Sequence, residues 1–198
     1  MKKYDLAFDE LMKWEGVASN HPADPGGKTI YGIARNCWKQ AFNEVYGLYK
    51  RNQHKDALAA AKRFYRVNFW NEFYNDILYT PLAYKLFDLS VNMGTKRIIK
   101  MLQRIINNLY GWNWWNIIPK KLKVDGSYGW NTHNALTKFN QETIYNLLIV
   151  RAEKFYRTRK HFWKFGRGWL RRLKNIKRLR SRAMCEVELK EVQNDKTI

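Results

Sequence analysis

The chain has 198 residues, 45% of them hydrophobic and 16% aromatic, enough for one compact domain or one domain with a small second lobe, which excludes disorder throughout. Its net charge of +20 and pI near 10.0 point to an anionic partner: nucleic acid, a membrane surface or an acidic polymer such as a bacterial wall. The two cysteines, Cys37 and Cys185, lie far apart and in no metal-ligand spacing, so neither a disulfide scaffold nor a zinc site is indicated and both read as free thiols.

In chain order the pattern is mainly α. The opening MKKYDLAFDELMKWEG begins with two lysines, but acidic residues interrupt any apolar core, so it does not read as a signal peptide. Residues 4 to 15 set Tyr4, Phe8 and Leu11 on one helical stripe, with Gly16 as the expected stop and Glu15 at the end of the buried face. Short apolar alternation over residues 27 to 34 fits a small strand. Residues 55 to 74 read as a core helix carrying Leu58, Phe64, Tyr65 and Phe69. Thr80 and Pro81 form a helix start, Gly94 a stop and Thr95 a second start, which predicts two packed helices. The segment 110 to 125 has no steady period and contains Pro119, so it reads as a loop. After DGSYG a long helical pattern runs from about residue 131 toward residue 158. No stretch is long and apolar enough to span a membrane, and a soft boundary is expected near residue 80.

Glu15 stands on the apolar stripe at a helix C-terminus, where desolvation and the backbone carbonyls both favour the protonated form that a general acid needs. The alternative is a Glu paired with one of the 37 lysines and arginines. The loop that follows, GVASNHPADPGGKTIYGI, turns at Pro25, Gly26 and Gly27 and can fold back over the helix end, bringing Asp24 or Thr29 toward Glu15 across a cleft. Two carboxyls flanking a gap suit hydrolysis of a glycosidic bond: one protonates the leaving oxygen, the other activates water or steadies the positive charge on the sugar. Thr29 would help to hold that water. Asp24 reads equally as the first residue of an ordinary Asp-Pro-Gly turn. His21, beside Pro22, reads as a solvent-facing or substrate-contacting residue rather than an acid or base.

A Glu-Gly, then Asp-Pro-Gly-Gly, one residue, a Thr, two residues and Gly-Ile resembles the pattern of the lysozyme-like muramidases of glycoside hydrolase family 108, which includes phage endolysins and secretion activator proteins. AKRFYRVNFW is similar to the family's following helix, FDLSVNMG, LQRIINNL and VDGSYGWNTHNAL to its C-terminal peptidoglycan-binding region, and FGRGWLRR to its late Gly-Trp, one residue, Arg signature. The ordered set covers most of residues 5 to 172. One departure is Val17, where the family usually has a second Gly after the Glu; this narrows the backbone freedom beside the acid.

The resemblance implies a lysozyme-like, mainly α-helical fold with a small loop or hairpin at the active site, and hydrolysis of the β-1,4 bond between N-acetylmuramic acid and N-acetylglucosamine without metal or organic cofactor. It assigns the catalytic acid to Glu15 and implies a catalytic region over 1–79, a helical peptidoglycan-binding region over 80–185 ending in a basic helix, and a polar tail over 186–198. Asp24 and Thr29 complete the candidate catalytic set, with His21, Tyr31, Asp88 and Asn92 as candidate substrate contacts. Asp88 and Asn92 share a helix face one turn apart, while Asp125 reads as a turn residue.

From Lys154 to Arg182 there are 13 Lys or Arg residues and no Asp or Glu, interleaved with aromatic residues. Such a run implies attraction to an anionic envelope that weakens with salt, and a basic amphipathic helix of this kind can disturb a membrane. The chain is thus expected to be a monomeric peptidoglycan hydrolase, most plausibly a phage endolysin made in the host cytoplasm and reaching the wall after a holin or other release step. The rival is a non-catalytic basic protein that binds nucleic acid or permeabilises anionic membranes. Against nucleic acid stands the lack of any recognised nucleic-acid-binding signature.

Overall fold

A computed structural model describes residues 3–19, 27–112 and 121–174. The chain is mostly helical, with a small three-stranded sheet, and divides into two compact units, residues 1–72 and 73–198.

The first unit holds α1 (Lys3–Met12), β1 (Ala18–Ser19), β2 (Thr29–Ile30), β3 (Ile33–Ala34), α2 (Lys39–Lys50) and α3 (His54–Phe69). Tyr4, Phe8 and Leu11 bury the expected stripe of α1, and each such side chain contributes about 1.5–3 kcal/mol of transfer free energy. The helix ends earlier than its pattern suggests. The amides of Trp14 and Glu15 both reach the Leu11 carbonyl, at 3.0 and 3.3 Å, which tightens the chain into a turn. Glu15 therefore lies in that turn, half-buried, and not on the helix's buried face as expected.

In α3 the buried face is Ala57, Ala60, Ala61 and Tyr65, a mostly small-residue stripe that packs on α2. Of the bulky residues expected in the core only Tyr65 is fully buried; Leu58 points away and is 40% exposed. The helix also stops at Phe69, before the 3-10 turn Glu72–Asp76, so the expected helix to residue 74 is broken. The sheet is antiparallel in the order β1-β2-β3, with Ala18 opposite Ile30 and Ile30 opposite Ile33. Ile30 and Ile33 carry its buried face.

The second unit contains α4 (Thr80–Met93), α5 (Thr95–Trp112), α6 (Trp130–Thr137), α7 (Gln141–Arg157) and α8 (Phe162–Lys174). The punctuation at Thr80, Gly94 and Thr95 marks these helix ends as expected. α4 is buried along nearly its whole surface, as a helix apolar on most sides must be, and packs on α5 and α7. The long helix expected from 131 to 158 is two helices. Asn140 accepts the Thr143 amide at 2.8 Å and starts α7 afresh, an N-cap competing with helix continuation. Residues 113–120, with Trp114 and Trp115, and the cations beyond Lys174 lie outside the described residues.

Candidate active site

The exit from α1 leads straight into the small sheet. The Tyr31 amide donates to the Val17 carbonyl at 2.8 Å, and Ser19 stands opposite Thr29. Between β2 and β3 the chain reverses on two residues, Tyr31 and Gly32, with φ of 47° and 77°. Positive φ at both central positions is what a type I′ hairpin turn requires. Gly adopts it freely, whereas Tyr31 does so at a cost of order 1–3 kcal/mol that its surroundings must offset.

Those surroundings include Glu15. A Cβ added to Gly32 would fall 2.7 Å from Glu15 Oε2 and 2.6 Å from the Tyr65 hydroxyl, so the carboxylate and the phenol converge on the bare Cα of the turn. The Tyr65 hydroxyl donates to the Tyr31 carbonyl at 3.0 Å and so clamps the turn to α3. Phe8 of α1 packs against the Tyr65 ring with centroids 5.9 Å apart. The Glu15 carboxylate thus lies where the end of α1, the hairpin turn and α3 meet. The Tyr31 ring lies edge-on to Tyr49 at 6.4 Å, and burial, with Tyr49 beside it, pushes its hydroxyl above the ordinary tyrosine value.

Thr29 sits half-buried in the central strand, on the sheet face opposite to Ile30. Asp24 and His21 belong to the connection between β1 and β2, and both lie outside the described residues. The hairpin thus brings Tyr31 and Gly32 to Glu15. Tyr65 is the member of this group that reading it as a core residue misses; the signal is a buried phenol, which needs a hydrogen-bond partner.

Asp88 and Asn92 belong to α4 of the second unit. Asp88 accepts from Lys85 Nζ at 3.1 Å and from Arg172 Nε at 2.8 Å, a bridge from α4 to α8. Burial raises its carboxyl, but Lys85 and Arg172 outweigh that and hold it below the ordinary carboxylate value. Asn92 is exposed, and its amide donates to the Asp88 carbonyl at 2.6 Å. Asp125 takes the Ser127 amide at 2.8 Å and Gln103 Nε2 at 2.9 Å, which makes it a turn residue as read from the sequence.

The Glycosyl hydrolase 108 family model matches residues 8–94, a span that contains Glu15, Asp24, Thr29 and Tyr31 as well as Asp88 and Asn92. Residues 8–94 are thus similar to glycosyl hydrolase family 108. The solved structure of SagA from Brucella abortus is similar to this chain at 27% identity and a TM-score of 0.66, covering 92% of this chain and 94% of SagA. No curated protein matches the chain. The match to the glycosyl hydrolase 108 family model, together with the SagA likeness, supports a peptidoglycan hydrolase.

Proposed function

We propose that this chain, similar to family 108 over residues 8–94, is an N-acetylmuramidase of the lysozyme type, with Glu15 as its general acid. The observation that carries the reading is the convergence of the Glu15 carboxylate and the Tyr65 hydroxyl on Gly32, within the segment that matches the family. A carboxyl kept in such a folded corner is near one position from which it can deliver its proton to a glycosidic oxygen, which lowers the entropic part of the barrier. In the proposed reaction Glu15 protonates the oxygen leaving the muramic acid carbon. Asp24 activates a water on the opposite face or steadies the oxocarbenium charge, and Thr29 orients that water. Inversion follows if the two carboxyls stand about 6.5–9.5 Å apart, and retention if they stand about 5–5.5 Å apart.

His21 and Tyr31 are the proposed sugar contacts of the loop and hairpin. In the second unit Asn92 is the exposed member of its pair with Asp88 and the one that a sugar hydroxyl can reach. The proposed biological role is that of a phage endolysin acting as a monomer on the bacterial wall after release from the host cytoplasm.

The bond that is cut tests this reading. Purified peptidoglycan is digested with the full chain, reduced with borohydride and analysed by mass spectrometry. New reduced N-acetylmuramic acid ends are expected. Reduced N-acetylglucosamine ends would instead assign a glucosaminidase, and cleavage within the stem peptides would remove the glycosidase reading.

A further inference from the structure

α8 has two unlike sides. One is spent inside its own unit: Gly166 and Leu173 are buried, Trp169 stacks on Tyr156 with centroids 5.4 Å apart, and Arg172 donates to Asp88. The apolar face that the sequence offered for membrane insertion is therefore already occupied. On the other side Trp163, Arg167 and Arg171 follow one another at i, i+4 and i+8, with Lys164 and Lys174 flanking the stripe. All five are exposed, and Trp163 is 82% exposed. Nearby, Glu153 pairs with Arg157 and, at 3.4 Å, with Lys174.

A bare indole at the head of a cationic stripe is poorly served by water alone. It suits a planar anionic surface, where the amphipathic ring settles at headgroup level and the cations meet lipid phosphates. Single-stranded nucleic acid fits less well, because it is held by successive stacked bases and this face presents one ring. We infer that the Trp163–Arg167–Arg171 face of α8 docks the protein on an anionic phospholipid bilayer, lying against the headgroups with the helix still packed in its unit. Among the described residues no helix is long and apolar enough to cross a membrane, so this contact is peripheral. It goes beyond the hydrolase reading and does not depend on it.

The test is cosedimentation of the full chain with vesicles of phosphatidylglycerol mixed with phosphatidylcholine, and with vesicles of phosphatidylcholine alone. Binding is expected to the mixed vesicles only, and to weaken as salt rises. Trp163→Ser leaves the net charge unchanged and is expected to lower the partition coefficient about tenfold. Lys164→Gln with Arg167→Gln is expected to lower it about thirtyfold, from a contribution near the surface of about 1 kcal/mol per cation. Lys39→Gln with Lys55→Gln, which removes the same charge from exposed positions of α2 and α3, is the control and is expected to have a much smaller effect. The inference is overturned if wild type ignores the anionic vesicles, if Trp163→Ser binds as well as wild type, or if the control loses as much as the α8 pair. Displacement of the vesicles by an equal phosphate concentration of single-stranded DNA would overturn it in favour of nucleic acid. Circular dichroism of each variant verifies folding.

Discussion

Gly32 is the position at which the proposed site is most easily broken. An Ala there would have to hold a φ of 77° and place a methyl carbon within 3 Å of both Glu15 Oε2 and the Tyr65 hydroxyl. Gly32→Ala is therefore expected to fold less stably and to displace the carboxylate, with a loss of about a hundredfold in wall-lytic rate, the scale at which small misplacements act. Turbidity clearance on purified walls, with thermal melting alongside, measures both effects. Tyr65→Phe keeps the ring and removes the hydroxyl that holds the Tyr31 carbonyl. A stability loss of about 1 kcal/mol is expected in urea denaturation, together with a fall in kcat larger than any change in KM. A purely structural hydroxyl would lower stability and leave kcat unaltered. At this scale Glu15 and Thr29 could be singled out as candidates because a Glu followed by a Pro-Gly-rich loop is a local pattern. Tyr65 was not: its partner is a backbone carbonyl 34 positions away, and periodicity assigns a Tyr to the core without saying what its hydroxyl meets.

Among the elements, the bridge from α4 to α8 has the clearest consequence. Asp88 answers two cations, Lys85 and Arg172, that would otherwise be buried without it. Asp88→Ala is expected to destabilise the second unit by about 3 kcal/mol, since removing one partner of a buried ion pair leaves the others uncompensated. Because its carboxyl is held below the ordinary value in the folded chain, its contribution is full above the unfolded carboxylate value of about 4 and is lost as the pH falls below it. Urea titrations of wild type and Asp88→Asn from neutral pH downward should therefore converge in acid, whereas parallel curves would contradict the bridge. Helix ends set by local chemistry, such as Thr80, Gly94 and Thr95, were legible. The break before α7 was missed although Asn140 and Thr143 carry its cap, because the apolar period runs on across it. α2 has no counterpart in the sequence reading: its fully buried residues are only Phe42 and Val45, and Gly47 interrupts the pattern.

Over the whole molecule, charge and composition were the most legible features, and they bear on encounter rather than on fold. A net charge of +20 is expected to draw the protein to purified anionic walls at low salt and to release it as the Debye length shrinks to about 8 Å near physiological ionic strength. Pelleting of Glu15→Gln with walls over a salt series measures that attraction without hydrolysis, and salt-independent pelleting would contradict it. The helical class could be read from residue patterns, whereas the single strand expected over 27–34 is a hairpin of two short strands that reverses at Tyr31 and Gly32. The gathering of Glu15, Gly32 and Tyr65 could not be read from such patterns, since it forms only when the end of α1, the turn at Gly32 and α3 come together.

The most direct test of the central claim is to digest purified peptidoglycan with wild type and with folded Glu15→Gln in parallel, counting reduced N-acetylmuramic acid ends by mass spectrometry. The general-acid role of Glu15 predicts that wild type creates these ends and the variant creates almost none, while both show the same circular dichroism. Equal release by the two proteins would contradict it.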